Sequence, residues 1–380
     1  MVIIIKKITK FTVDKTIIIP MILFGIISVA TIFCTRELLE VESQNLWIKQ
    51  IFWYSLGFFI AYFLMAIGNK FFYNNAYIFY GIGVISLVLV LFFGKEVNNA
   101  TCWFEIPYIG TFQPSEFMKI FLMIILARII NEFNENNPNP EIGDEFKFLF
   151  KVLLIVLIPS ILTFIQPDTG AVMLYFIIAF VMLFIGGFKK RWFISIIAVF
   201  AIFLIVFVGI YFIDQDLFIK IFGTSFFYRM DRILNWSNSS GMQLSNSLIA
   251  IGSGGLFGHG FNNVPIYFPE MQNDFIFAVF TSCFGLFGAV ILIFLIIFFD
   301  MSIINTVNKT TDMTDKYMIS GILAVLLFQQ VYNISMTIGL LPIMGITLPF
   351  ISYGGSSLIS YMILLGFIFN VSNESLRFTN

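Results

Sequence analysis

Apolar runs of roughly 20 residues recur along this chain, and no other feature restricts its fold as severely. A bilayer core about 30 Å thick is crossed by roughly 20 residues of helix, and a span must satisfy its own backbone hydrogen bonds. The runs fall at 17–34, 51–68, 76–94, 116–131, 148–165, 170–187, 192–213, 275–299, 317–341 and 347–370. Little charge interrupts them: only 11% of the 380 residues are charged and 59% are hydrophobic, giving a mean hydropathy of +0.94. We therefore expect one all-α, polytopic integral membrane domain over residues 1–380, with about ten transmembrane helices.

The first run follows Lys6, Lys7, Lys10 and Lys15 but lacks a small-residue cleavage site, so it reads as a retained helix and not a signal peptide. Lys and Arg gather in cytoplasmic loops. Placing the N-terminus inside puts most of the 21 cations there, including Lys189, Lys190 and Arg191 in one tight turn. Both termini are then cytoplasmic, and the longest loop, 214–274 between helices seven and eight, faces outside. A net charge of −1 without a basic, aromatic-interleaved patch argues against nucleic acid as a partner. Cys34, Cys102 and Cys283 form neither a disulfide framework nor a metal-ligand pattern. In this topology Cys34 and Cys102 lie near the outer face, which leaves a bridge between them open.

The external loop mixes charges and glycines with short apolar stretches such as "MQLSNSLIAIG", which have helical periodicity and suit the membrane surface. Asp274 stands just before "FIFAVF". It reads either as the N-cap of the next helix or as an acid held at the membrane face to accept a proton from a hydroxyl. Arg229 and Arg232 flank Asp231; they suit lipid headgroups or a phosphorylated ligand. "AIGSGGLFGHGFNN" lacks the GxGxxG spacing and the βαβ context of a phosphate loop, so a tight turn or a close backbone approach is the better reading. His259 is the sole histidine, which excludes a histidine triad or multi-histidine metal site. In "GTFQPSEFMKI" Pro114 opens a helix on which Glu116 and Lys119 share a face. Asp168 in "IQPDTGAV" reads as a turn former, and "LPFISYGGSSLIS" supplies small residues for close helix packing.

Taken in order, "QPSEFMK", "QPDTGA", "LIAIGSGGLFGHG", "PEMQNDFIFAV" and "GLLPIMGITLPFISYGGSS" resemble the SEDS family of bacterial cell-wall proteins, which includes RodA and FtsW. The similarity runs from about residue 100 to 370. The resemblance implies a peptidoglycan glycosyltransferase that polymerises lipid II at the outer face of the cytoplasmic membrane. It implies a class B penicillin-binding protein as partner, with other elongasome or divisome membrane proteins. It places the family's essential external aspartate at Asp274, as general base titrating near its ordinary value of about 4. Arg229, Arg232 and Lys119 become candidates for the pyrophosphate, and Ser115, Glu116 and Gln272 join them as substrate-contacting candidates. No cofactor is expected to bind tightly; a divalent cation, Mg²⁺ or Mn²⁺, would come with the substrate's phosphates.

The chain also departs from the family pattern. Thr281, Ser282 and Cys283 stand where most relatives carry a small residue and two glutamates, and Cys102-Trp103 replaces a common Arg-Trp pair. Met344 occupies a position where many division-type members carry lysine, which favours the elongation branch over division or sporulation. Two alternatives remain at this point: a lipid II flippase using the bundle interior, and a weakly active scaffold for the penicillin-binding protein.

Overall fold

The computed structural model describes residues 13–97, 100–106, 110–224, 226–227 and 241–379. Helices occupy all ten expected segments: α1 (Lys15–Cys34), α2 (Leu46–Ile67), α4 (Ala76–Phe93), α5 (Pro114–Asn136), α6 (Ile142–Ile165), α7 (Thr169–Ile185), α8 (Lys190–Ile213), α11 (Ile276–Lys309), α12 (Met313–Thr337) and α13 (Gly355–Thr379). Eight are long and apolar enough to cross a membrane. Of the other two, α7 is apolar but short, and α5 is the more polar helix that carries Glu116 and Lys119. Short helices α3 (Asn69–Asn74), α9 (Gln215–Phe222) and α10 (Met242–Ser253) and a 3-10 turn at Val41–Ser43 are also present.

Carboxylates start several of these helices. Asp14, Asp168 and Asp312 accept backbone N–H groups of Thr16, Ala171 and Thr314 at 2.9, 3.1 and 2.9 Å, as N-caps do. The spans differ sharply in how much protein covers them. In α13, 83% of the spanning window is buried, against 11% in α8. The core therefore centres on α13, α12 and α5, and α8 is peripheral with an apolar surface suited to lipid.

The all-α, polytopic expectation is borne out, with two corrections of detail, the first a small sheet. Between α4 and α5 lies a three-stranded antiparallel sheet, β1 (Lys95–Val97), β2 (Ala100–Ile106) and β3 (Gly110–Phe112), with Lys95 opposite Trp103 and Phe104 opposite Phe112. The strands are short, and the segment is too polar to cross the bilayer. It satisfies its backbone by pairing with itself.

A second correction concerns the last span. Residues 338–354 are not helical, and α13 begins at Gly355, eight residues later than the apolar run suggested. Side chains of other elements hold this stretch. Ser28 Oγ donates to the Ile351 carbonyl at 2.7 Å, Gln50 Nε2 to that of Ser352 at 3.2 Å, and Tyr54 hydroxyl to that of Phe350. Irregular backbone at membrane depth is tolerated where protein buries it and supplies such partners.

The glycine string acquires a structural reason. Helix α11 breaks at Gly285, whose φ is +67°. The 254–260 turn pairs with the broken ladder: His259 N–H donates to Ser282 O at 2.9 Å, Gly260 N–H to Cys283 O at 3.0 Å, and Leu286 N–H to Gly255 O at 2.9 Å. A Cβ on Gly258, at φ +81°, would lie 2.2 Å from Cys283 O. The close approach is to α11 and not to a ligand. The Cys34–Cys102 bridge left open by the sequence is not formed, and all three cysteines are free. Cys34 hydrogen-bonds Cys283, whereas Cys102 donates to Gln166 O at 2.7 Å.

Candidate active site

The loop before α11 turns back under the irregular 338–354 stretch, and a cavity of about 600 Å³ opens there. Four carboxylates line it: Glu116 from α5, Asp168 from the N-cap of α7, and Glu270 and Asp274 from the loop. Gln113, Gln272, Tyr353 and the Gly354–Ser357 start of α13 contribute neutral polar groups, and Trp53 and Trp103 contribute aromatic faces. Among the described residues no Lys or Arg lines the wall.

Asp274 does not cap α11. The residue flanking the helix is Phe275, with no side-chain cap bond. The Asp274 carbonyl instead accepts Asn333 Nδ2 at 2.7 Å, and the same amide donates to Ile346 O at 2.7 Å. One buried side chain thereby joins the loop carrying Asp274 to the stretch on the opposite wall. Next to it, Ser352 Oγ donates to Asn273 O at 2.7 Å and Tyr353 N–H to Gln272 O at 2.9 Å. The Asp274 carboxylate is half-buried and receives no hydrogen bond among the described residues. Burial, with Glu270 nearby as a like charge, pushes it up from 3.8 to about 7. The sequence-level expectation of an ordinary value near 4 is corrected by this environment.

The remaining candidates divide by position. Gln272 and Glu116 line the cavity with Asp274. Lys119 is buried behind Glu116, paired with it and with its ammonium 4.5 Å from the Tyr361 ring centroid. Ser360 Oγ also donates to Glu116, at 2.9 Å. Ser115 is buried too, donating at 2.7 Å to Asp168 Oδ2, which also accepts Gln113 Nε2 at 3.0 Å. Ser115 and Lys119 thus orient carboxylates and do not themselves face the cavity. Arg229 and Arg232 lie outside the described residues.

Sequence reading passed over two members of the wall. Glu270 precedes Asp274 by four residues in a quoted string, and its φ of +57° is unusual for a non-glycine residue. Asp168 is the turn former expected, yet it also lines the cavity, with Oδ2 held by Ser115 and Gln113. Burial, with Glu116 adding repulsion, raises its carboxyl, while bonds from Ser115, Ala171 and Gln113 oppose the rise.

These features define a polytopic helical membrane protein with an acid-walled cavity at the end of the bundle that carries the small sheet. The chain belongs to the FtsW/RodA/SpoVE family, whose model, described as "Cell cycle protein", matches residues 11–377. It is 32% identical over 346 residues to the "Probable peptidoglycan glycosyltransferase FtsW" of Buchnera aphidicola (subspecies Baizongia pistaciae), covering 87% of this chain and 85% of that protein. It is 31% identical over 367 residues to the "Peptidoglycan glycosyltransferase MrdB" of Helicobacter pylori, covering 94% and 91%. Relatives of both names match equally well, so identity does not separate the branches. In fold it is similar to a chain of a peptidoglycan synthase complex (TM-score 0.78, 23% identity, 96% of this chain and 98% of that one). It is similar also to the rod shape determining protein RodA of Thermus thermophilus (TM-score 0.70, 24% identity, 96% and 98%).

Proposed function

We propose that this protein is a peptidoglycan glycosyltransferase that polymerises lipid II, with Asp274 as general base. The observation that carries this reading is the Asp274 carboxylate: half-buried, without a hydrogen-bond donor among the described residues, and raised to about 7 on the wall of a 600 Å³ cavity. A base poised near operating pH accepts a proton with the best combination of ionised fraction and driving force. The acceptor sugar hydroxyl attacks the anomeric carbon of the donor and the bond to pyrophosphate breaks. The hydroxyl proton passes to Asp274, and the configuration inverts.

Glu116, Gln272 and the polar start of α13 are placed to orient sugar hydroxyls. The departing pyrophosphate needs positive charge. Arg229 and Arg232 are our candidates for it, together with a divalent cation, Mg²⁺ or Mn²⁺, entering with the substrate. Such an ion takes oxygen donors, which the four wall carboxylates offer, and would supply Lewis-acid stabilisation of the leaving phosphate. Among the described residues no three carboxylates are grouped closely enough to hold the ion alone. The phosphates must then supply part of its coordination.

The site faces the outside of the cytoplasmic membrane with both termini inside, following the Lys and Arg asymmetry. A class B penicillin-binding protein would crosslink the product. The fold neighbour drawn from a synthase complex that coordinates polymerization and crosslinking supports such a partner. Met344 lines the cavity where many division-type members would place a lysine, and this favours the elongation branch. The test is gel-resolved polymerisation of lipid II by purified protein, with and without the partner, for wild type and Asp274→Ala. Glycan strands from wild type alone support the reading; equal output from both removes Asp274 from the mechanism, and none from either favours a scaffold or flippase.

A further inference from the structure

Cys283 sits where the family pattern has glutamate, and this chain sets a second cysteine against it. Cys34, the last residue of α1, hydrogen-bonds Cys283 side chain to side chain, although 249 positions separate them in sequence. Both thiols are buried, Cys34 at 2% exposure and Cys283 at 0%. The Asn262 N–H donates to Cys34 Sγ at 3.3 Å, and two residues earlier the Gly260 N–H donates to the Cys283 carbonyl at 3.0 Å. The two cysteines therefore converge on one backbone turn, the one that fills the break in α11. Three segments meet there: the end of α1, the break before Gly285, and the glycine turn that runs on to Asp274.

We infer that Cys34 and Cys283 are a disulfide-forming pair that staples α1 to the break in α11 and fixes the turn between them. Closure is thiol–disulfide exchange with an external disulfide RSSR. One cysteine attacks RSSR and expels RSH, and the second displaces the other RS group as RSH. The two protein thiols lose two electrons and two protons, and RSSR becomes two RSH. The pair lies at the cavity end of the bundle, so its oxidation in cells rests on the proposed outward topology, the side on which disulfides persist.

Membranes are quenched with N-ethylmaleimide-free acid, denatured in SDS, and treated with polyethylene-glycol maleimide before and after reduction. One adduct before reduction and three after are expected, since Cys102 remains free; in Cys102→Ser the counts become zero and two. Reduction is also expected to lower Tm by a few degrees, an effect absent in Cys34→Ser. If all three cysteines react before reduction, reduced purified protein is treated with diamide. One adduct then supports the pair as a site and counts against the outward topology. Three adducts again overturn the pair, and zero adducts remaining in Cys34→Ser would do so as well.

Discussion

Replacing Asp274 by asparagine keeps the side chain's volume and removes its charge, and it should move activity and stability in opposite directions. As general base the carboxylate is worth about 10²- to 10⁴-fold, or roughly 3–5 kcal/mol of barrier at 1.36 kcal/mol per factor of ten. Wild-type turnover should rise with pH to a plateau above about 7, where Asp274 is ionised; the variant's residual rate should lack that limb. Stability follows from the same environment. A folded value near 7 against 3.8 unfolded means the native state binds this proton more tightly. Ionisation therefore weakens the fold progressively from about pH 4, and the penalty is complete above about pH 7. Its ceiling is about 4 kcal/mol, which partial exposure to solvent reduces to about 1–2 kcal/mol. Asp274→Asn should accordingly melt several degrees higher than wild type at pH 8 and within about a degree of it near pH 4. The assays are lipid II polymerisation across pH 5–9 and thermal unfolding in detergent at both pH values. A variant within threefold of wild-type turnover, or one no more stable at pH 8, would refute the reasoning.

Three further outcomes follow from the same geometry. Glu270→Gln removes the like charge beside Asp274, so the acid limb of the pH–rate profile should move below 7 yet stay above 4, because burial is the larger cause; an unmoved limb would exclude the coupling. Glu116→Gln leaves the buried Lys119 ammonium without its carboxylate and should cost about 3–5 kcal/mol, whereas adding Lys119→Met should restore most of the loss; urea or thermal denaturation of the two single variants and the double variant decides between this and independent effects. Gly258→Ala must place a methyl 2.2 Å from the Cys283 carbonyl at a φ of +81°, so little folded protein should accumulate, measured by monodisperse yield from membranes; a wild-type yield would show that the turn can leave the α11 break.

Sequence alone fixed what depends on local chemistry. Most of each apolar run became helix because a chain in lipid must satisfy its own backbone, and Pro114 marked a helix start through its ring geometry. The motif order was enough to bring Asp274, Glu116 and Gln272 forward together. What depends on distant segments was not legible. The 338–354 stretch is as apolar as a span, and it stays irregular only because Ser28, Gln50 and Tyr54, some 300 positions earlier, hold its carbonyls. Glu270 and Asp168 joined the site through folding, and Asn333 bound its two walls. The proton affinity of Asp274 was likewise decided in three dimensions: a residue's type gives its ordinary value, but burial and neighbouring charge, which only the tertiary structure supplies, set the value at which it works.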